Sequence, residues 1–180
     1  MPGFIDPHTH AIWAGDRAAE FEMRLEGKTY LEILAAGGGI LSTVHATRTA
    51  SLERLLNETR RRLWSMFSYG TTTAEIKTGY GLRTAAELRM LQALINLNGE
   101  GPLELAFTFL GAHAIAPEFK DRPDDYTDLI CETMLPMLKD WWPSHAPFLE
   151  APFVDVFCET GAFSLEQSRR ILQAAQSLGF

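Results

Sequence analysis

An alternation of short apolar runs with amphipathic segments is the feature that most limits the folds open to this chain. Four runs have the apolar or β-branched composition of β-strands: 4–6, 71–77, 103–110 and 154–158. The segments between them have helical composition, apolar residues at helical spacing or capping residues: 18–36, 51–70, 84–98, 126–139 and 164–177. Strands that alternate with helices predict a parallel sheet with helices outside it, in an α/β barrel or an open doubly wound sheet.

Turn and capping residues predict where these elements end. Pro7 should close the first strand, and glycines 37–39 should stop the first helix. Pro136 should kink or shorten its helix, and the segment 141–152, which holds three prolines, is predicted to be a loop. Two residue pairs have the spacing of a capping box at a helix start: Thr84 with Glu87, and Ser164 with Gln167.

Composition narrows the class of protein and its partners. The chain of 180 residues suits one domain spanning residues 1–180, and it is 46% hydrophobic and 22% charged, the balance of a soluble globular protein. A net charge of −7 without a basic run argues against nucleic acid as a partner. No apolar stretch reaches the roughly 18 residues of a membrane span. With two cysteines and no signal-peptide pattern, a reducing, cytoplasmic setting is expected.

Polar or glycine-rich groups follow each of the predicted strands. They are His8 with His10, the loop 77–81, the segment Gly111-Ala112-His113, and Glu159. In both kinds of parallel α/β fold, catalytic and binding residues gather where strands end and the following loops begin. These positions therefore hold the candidate functional residues of the chain.

The pair His8 and His10 is a candidate metal-binding motif. Side chains alternate along a strand, so the two imidazoles share a face, with Cα atoms about 6.6 Å apart, and can bind one ion. A bound divalent ion would lower the pKa of a water molecule to about 7 and supply hydroxide for attack on an amide-like carbon. A polar turn is the alternative interpretation, and two protein ligands are fewer than a catalytic site usually has. Surface positions are expected for His45 and His145.

Several segments of the chain resemble a known family. PGFIDPHTH followed by AGDR is similar to the first barrel strand of the amidohydrolase superfamily. More narrowly, four segments resemble the imidazolonepropionase family: EFEMRLEGKTYLEILAAGGGILSTVHATR, GTTTAEIKTGYGL, TFLGAHA and DVFCETGAFSLEQSRRIL. The resemblance spans nearly the whole chain and implies a partial TIM (β/α)8-type barrel of about its first four strand–helix units. It also implies the family's activity, hydrolysis of 4-imidazolone-5-propanoate to N-formimidoyl-L-glutamate in histidine degradation.

The resemblance further implies a set of site residues. One zinc or iron ion would be held by His8, His10, a third histidine and an aspartate. Three residues match the positions that contact the small-molecule substrate: Arg17, Tyr80 and His113. The third histidine, the aspartate and the catalytic glutamate of the family are expected after Phe180, so no catalytic residue is assigned within the chain. A small β-rich domain would precede its first strand, and a homodimer is compatible with the resemblance.

Each substrate residue also has a purely structural interpretation. Arg17 offers a planar fork of donors that matches a carboxylate, but it could instead pair with Asp16 or Glu20. Tyr80 could present a phenol donor between two glycines, or it could be an ordinary turn residue. His113 could hydrogen-bond the ring carbonyl of the substrate and stabilise developing charge, or it could be a structurally satisfied histidine.

The residues leave two further functions open. The chain could belong to another amidohydrolase, such as an aminohydrolase acting on a nucleobase-like ring, although Arg17 and the KTGYGL loop favour an acidic substrate. Alternatively, this polypeptide alone is a non-catalytic half-barrel, which would leave two sheet edges unpaired and an apolar interior uncovered, and should associate. Lys77 could pair with Glu75 or face the barrel, and Glu159 is assigned no role.

Overall fold

Four parallel strands form a single curled sheet in this computed structural model, which describes residues 1–29, 32–33 and 36–180. The strands are β1 (Phe4–Thr9), β2 (Thr71–Lys77), β3 (Glu104–Ala112) and β4 (Phe153–Val156). They pair in the order β1-β2-β3-β4, and each neighbouring pair is parallel. The predicted α/β partial barrel is therefore confirmed, and the carboxyl ends of all four strands lie at one edge of the sheet.

Helices connect the strands and cover the outer face of the sheet. Those of the described residues are α1 (Ala18–Leu25), α2 (Ile40–Thr49), α3 (Leu52–Ser68), α4 (Thr84–Leu97), α5 (Pro123–Leu129), α6 (Leu135–His145) and α7 (Leu165–Ser177). A short 3-10 turn lies at Pro117–Phe119, and a π-helical turn at Ile130–Met134 joins α5 to α6. Within the described part of the chain, none of the helices combines the length and apolar character needed to cross a bilayer.

The outer faces of the strands build the apolar core that fixes the strand ends. Ala74 and Ile76 of β2 are fully buried in one cluster with Met90 and Leu94 of α4. Helix α4 packs against both α3 and β3, and α7 packs against β4. Full burial of a Leu, Ile, Phe or Met side chain contributes about 1.5–3 kcal/mol, so this layer holds the sheet in its curled form.

The first strand is longer than the sequence predicts. Pro7 does not close β1, which continues to Thr9. Proline cannot donate to a strand ladder, but it is tolerated on an edge strand or at an irregularity. β1 is an edge strand, and its pairing register with β2 shifts between Asp6 and Thr9, around Pro7. The prediction was wrong because the edge position removes the cost of the missing amide.

The predicted helix over 18–36 ends early. Helix α1 stops at Leu25, and Gly27 follows with a φ of 83°. A glycine in the left-handed region is a common helix terminator, which explains why the helical pattern does not continue through this position. Residues 32–33 are helical, so the stop predicted at glycines 37–39 follows a later helical segment rather than α1. Residues 30–31 and 34–35 of the predicted helix lie outside the described residues.

The predicted loop over 141–152 is also partly wrong, because its first part is the end of α6. Trp142 is buried and its ring meets Phe107 of β3 edge-on, with centroids 5.8 Å apart. This packing favours helix through His145 despite Pro143, so tertiary contact overrides the local proline signal. At Pro136 the predicted interruption takes the form of the π-helical turn, which changes the hydrogen-bond register immediately before α6.

One of the two predicted capping boxes is present. Ser164 Oγ accepts from the Gln167 amide at 3.2 Å, and the Ser164 amide donates to Gln167 Oε1 at 2.9 Å. The box predicted for Thr84 and Glu87 is wrong, because the helix begins one residue earlier than a box requires, at Thr84 itself, with Arg83 as its N-cap. The Glu87 side chain instead turns toward the loop that precedes α4.

Candidate active site

Four aromatic side chains from three strand ends form a ring cluster at the carboxyl edge of the sheet: His8, His10, Tyr80 and His113. The ring centroids of His8 and His10 are 5.5 Å apart, as expected for side chains on one face of a strand end. The His113 ring stacks on His10 with centroids 4.5 Å apart, and Tyr80 lies 5.6 Å from His10 and 5.1 Å from His113. The fold thus brings together four of the five residues singled out by the sequence.

His10 has the chemistry of a metal ligand. Burial lowers its pKa to about 4, with smaller contributions in the same direction from His113, His8 and Lys77, so the ring is neutral at physiological pH. A neutral imidazole is the form that binds metal ions. Nδ1 of His10 is buried and finds no hydrogen-bond partner among the described residues. The orphaned nitrogen and the neutral ring both fit a metal ligand.

The histidine pair alone supplies an incomplete coordination shell. Within 1–29, 32–33 and 36–180, the structure contains no group of three or more His, Cys, Asp or Glu side chains that could hold a metal ion. A catalytic zinc site has three protein ligands and an open position. His8 and His10 can therefore be two ligands of such a site, and further ligands must come from elsewhere.

The segment after His10 is held in place by a half-buried arginine. Arg62 of α3 donates to the carbonyls of Ala11 at 3.1 Å and Trp13 at 2.7 Å, and its guanidinium lies 3.6 Å from the Trp13 ring centroid. These contacts join α3 to the exit of β1. The sequence offers no signal for this role, since Arg62 is one of several arginines on an amphipathic helix.

His113 is oriented by the loop that follows β2. Its Nδ1–H donates to the Gly79 carbonyl at 3.0 Å, because a carbonyl oxygen can only accept. Burial lowers the pKa of His113 despite this opposing hydrogen bond, so the ring is neutral and Nε2 carries the lone pair. The His113 side chain therefore offers an acceptor at Nε2. Donation to a substrate carbonyl, the role expected from the sequence, would require the protonated ring.

The loop between β2 and α4, residues 78–82, is fixed by the buried carboxylate of Glu87, for which the sequence predicts a capping role instead. Glu87 accepts from the amides of Gly79 at 2.9 Å, Gly81 at 2.7 Å and Leu82 at 2.7 Å. Burial raises the pKa of Glu87, while these hydrogen bonds and one from Thr78 oppose the change. The only signal in the sequence is an acidic residue in the first helical turn after a glycine-rich loop.

Tyr80 lies at the centre of that loop, half-buried against the two histidine rings. Burial raises its pKa and the charge of Arg17 lowers it, with burial prevailing, so the phenol remains a hydrogen-bond donor at neutral pH. Arg17 is therefore close enough to act on Tyr80 electrostatically. The ring contacts place Tyr80 on the same side of the sheet as the histidine pair.

Arg17 also makes the ion pair considered from the sequence. Its Nη2 lies 2.6 Å from Glu20 Oε2, and Glu20 Oε1 accepts from the Gly39 amide at 2.9 Å. The hydrogen bond from Arg17 is the main reason that the pKa of Glu20 is lowered. The pair fixes the guanidinium at the start of α1, with 42% of the Arg17 side chain exposed. An ion pair and a role in binding are compatible, because the guanidinium has five donors.

Beneath the ring cluster, the inner face of the sheet carries charges rather than the expected apolar surface. Lys77 Nζ lies 2.7 Å from Glu75 Oε1 and 2.9 Å from Asp155 Oδ2, and the Thr108 hydroxyl also donates to Glu75. Burial lowers the pKa of Lys77, but the two carboxylates outweigh it and raise that pKa overall. Both alternatives for Lys77 hold, since it pairs with Glu75 and faces the interior. Asp155 was not predicted as its second partner.

The remaining histidines and Glu159 lie apart from the cluster. His45 of α2 and His145 at the end of α6 are exposed, as predicted. Glu159 is exposed in the turn after β4, where its carboxylate accepts from the Thr160 amide at 2.8 Å. At the same strand end, the Phe157 ring lies 6.1 Å from that of His113 and meets it edge-on. The segment after the fourth strand thus contributes an apolar ring to the cluster, while the strand itself contributes Asp155 beneath it.

Comparison with known proteins relates the whole chain to one family. No family model matches it. It is 53% identical over 180 residues to an imidazolonepropionase of Herpetosiphon aurantiacus, covering 100% of this chain and 42% of that protein. It is 56% identical over 180 residues to the imidazolonepropionase of Chloroflexus aggregans, covering 99% of the chain and 42% of the relative. A Symbiobacterium thermophilum imidazolonepropionase is 50% identical over 180 residues, with 100% of the chain and 41% of the relative covered. The chain thus spans about 42% of the length of these curated relatives, and over that whole span it is similar to imidazolonepropionases.

Proposed function

We propose that the protein formed by this chain and the remainder of the barrel hydrolyses the cyclic amide of 4-imidazolone-5-propanoate to N-formimidoyl-L-glutamate, a step of histidine degradation. The observation that carries the proposal is the ring cluster, in which two candidate ligands and two candidate substrate residues converge at the strand ends. Identity of about half over the full chain with imidazolonepropionases supports the same assignment. The free thiols of Cys131 and Cys158 are compatible with a reducing, cytoplasmic setting.

His8 and His10 would hold one zinc or iron ion. The ion, when bound, lowers the pKa of a water molecule to about 7 and so supplies hydroxide for attack on the cyclic amide carbon. The role of this chain is to present two neutral imidazoles on one face of β1. The stacked ring of His113 keeps solvent from one side of His10, and the segment after His10 is fixed by Arg62.

The substrate has a carboxylate tail and a planar ring, and Arg17 and the ring cluster together offer a partner for each. Arg17 lies at the start of α1 with part of its guanidinium exposed, and it can bind the carboxylate in a two-pronged geometry. Tyr80 donates from its phenol, and Nε2 of His113 accepts from a ring N–H of the substrate. Neutral His113 thereby orients the ring, and a group outside this chain must stabilise the charge that develops on the carbonyl oxygen.

The chain by itself should have negligible hydrolytic activity. The described residues supply two imidazoles for the ion and no group of three or more ligands. An ion held by two side chains is bound weakly and leaves the attacking water poorly positioned. Activity should therefore require the complementary part of a family member.

A chimera tests this proposal. The segment of the Herpetosiphon aurantiacus imidazolonepropionase that matches this chain is replaced by residues 1–180, and hydrolysis of 4-imidazolone-5-propanoate is followed by its absorbance. Turnover in the ordinary enzymatic range of about 1–10³ per second supports the assignment. The same chimera carrying His10→Ala should lose both metal and activity.

Two outcomes would overturn the proposal. One is a folded, metal-loaded chimera that does not open the imidazolone ring, particularly if it hydrolyses a nucleobase-like ring instead. The other is ordinary turnover by the chain of 180 residues alone, because the essential groups would then have been misplaced.

A further inference from the structure

We propose that Glu87 is a positioning residue for the substrate site, in which its buried carboxylate holds loop 78–82 so that Tyr80 and His113 face the histidine pair. The inference rests on the proposed function for its consequence in catalysis. The structural part of the inference, that Glu87 fixes the position of His113, depends only on the contacts described below.

The carboxylate binds the loop on both of its oxygens. Oε1 accepts from the amides of Gly81 and Leu82, each at 2.7 Å, and Oε2 accepts from the amide of Gly79 at 2.9 Å. The side chain is fully buried, with no exposed surface. A buried carboxylate is costly unless several donors satisfy it, so the three amides and the carboxylate stabilise one another.

The loop has a backbone shape that requires such support. Gly79 has a φ of 108° and Leu82 a φ of 49°, and the latter lies in the left-handed region that non-glycine residues rarely adopt. On the opposite side of the loop, Arg48 of α2 donates to the Gly81 carbonyl at 2.6 Å and the Leu82 carbonyl at 3.0 Å. Glu87 therefore holds the amides of the loop while Arg48 holds its carbonyls.

Gly79 transmits this restraint to the ring cluster. Its amide is bound by Glu87, and its carbonyl accepts the Nδ1–H of His113 at 3.0 Å. His113 in turn stacks on His10. A continuous series of contacts thus runs from α4 through the loop to the candidate metal ligand. Loss of the Gly79 contact should release His113 from its tautomer and orientation, with Tyr80 moving on the same loop.

Glu87→Gln is the most informative variant, because it keeps the shape of the side chain. It replaces one carboxylate oxygen by an NH₂ group and leaves the other oxygen in place. The Gln oxygen can keep the two bonds to Gly81 and Leu82, which leaves the amide NH₂ facing the Gly79 N–H, donor against donor. The first readout is the ¹⁵N chemical shift and proton exchange of His113 Nδ1 in the chain of 180 residues. We expect the Nδ1 proton to exchange at least about tenfold faster.

The second readout is kcat/KM of the chimera, measured together with its zinc affinity. A residue with a purely structural role would not lower the first while leaving the second unchanged. We expect kcat/KM per metal-loaded site to fall by about 10–100-fold, as for a misplacement of about 1 Å, while zinc affinity changes by less than about threefold. Arg48→Lys should move both readouts in the same direction, by less. If Glu87→Gln does not fold, Arg48→Lys still tests whether the restraint on the loop controls His113, because Arg48 binds the carbonyls of the same loop.

The matched control is Glu53→Gln, at an exposed carboxylate in the first turn of α3. It removes the same charge near a helix start and should leave both readouts unchanged. Unaltered His113 exchange in Glu87→Gln would overturn the proposal, as would a loss of stability without a fall in kcat/KM. An inactive wild-type chimera would refute the proposed function instead, and the His113 exchange would still decide the role of Glu87.

Discussion

The imidazole rings of His10 and His113 lie stacked, with centroids 4.5 Å apart and planes inclined by 12°, although one residue follows the first strand and the other the third. The contact excludes water from His10 and contributes to a pKa of about 4 for that ring. Two neutral imidazoles are thus held together by stacking rather than by a hydrogen bond between their nitrogens. This arrangement suits a site where one ring binds an ion and the other binds an organic ligand.

Removal of either strand-end histidine should weaken metal binding. His8→Ala and His10→Ala are each expected to lower the zinc affinity of the chain by at least about tenfold, because each removes one of two adjacent ligands. Isothermal titration calorimetry with Zn²⁺ measures the change. His145→Ala, at an exposed histidine of α6, is the control and should bind as the wild type does. Equal losses in all three variants would mean that zinc binds adventitiously at the surface.

Arg17→Ala should separate substrate binding from metal binding. The stable analogue imidazole-4-propanoate has the carboxylate and the ring of the expected substrate, and its affinity for the metal-loaded chimera should fall by about 10–100-fold. A charged, two-pronged contact is lost, and hydrogen bonds to charged groups contribute about 1.5–3 kcal/mol. Zinc affinity should be unchanged. Equal losses of analogue and zinc binding would indicate that Arg17 acts only through its ion pair with Glu20.

The sequence predicted the position of the cluster better than its internal contacts. The strands follow from their apolar and β-branched composition, and parallel strands place their carboxyl ends together, so His10, Tyr80 and His113 could be assigned to one edge from the sequence alone. The roles of Glu87 and Asp155 could not be assigned. Their partners are backbone amides or a lysine on another strand, and such pairings leave no spacing pattern in the chain.

Local signals failed where tertiary packing opposed them. Pro143 predicted a loop, but burial of Trp142 against Phe107 keeps that segment helical. Thr84 and Glu87 have the spacing of a capping box, yet the carboxylate is more strongly bound by the three amides of the preceding loop. In both cases a tertiary contact stabilises the observed conformation by more than the local signal favours the predicted one. A capping signal is worth about 1 kcal/mol.

Gly79→Ala should distort the cluster and destabilise the fold. A Cβ at this position would lie 2.7 Å from His113 Cβ and 2.8 Å from the Leu110 carbonyl oxygen, and the φ of 108° is unfavourable for alanine. We expect a loss of at least about 2 kcal/mol in the free energy of unfolding, measured by urea denaturation. Gly101→Ala, where a Cβ would meet nothing within 4 Å, is the control and should change stability by less than about 0.5 kcal/mol. Similar losses in both variants would contradict the steric argument.

The ion pairs of Glu118 should make stability depend on pH in the acid range. Burial raises the pKa of Glu118, but its backbone amide and the guanidinium groups of Arg48 and Arg83 lower it to about 2 from its usual value of 4.5. A lowered folded-state pKa means that this contribution to stability is fully present above the unfolded-state value. It is lost as the pH falls toward the folded-state value.

Glu118→Gln isolates that contribution. The wild type should exceed the variant in the free energy of unfolding by up to about 1 kcal/mol at pH 6, a small value because the carboxylate is 37% exposed. The difference should shrink between pH 4.5 and about 2, the window set by the two pKa values. Urea denaturation at several pH values measures it. A difference that is constant across this range would show that Glu118 contributes by packing rather than by charge.

The two edge strands should make the isolated chain self-associate. β1 and β4 each have one neighbour in the sheet, and they expose apolar side chains, with Ile5 70% and Phe153 65% exposed. Unpaired strand edges with apolar side chains favour pairing between molecules, and edge lysines oppose it. We expect sedimentation velocity to show concentration-dependent association of the wild type. Ile5→Lys combined with Phe153→Lys should shift the chain toward monomer, whereas Leu172→Lys on α7, at a 45% exposed side chain away from the edges, should not. Association that survives the double substitution, or disappears equally with Leu172→Lys, would place the contact on the helical face instead of the sheet edges.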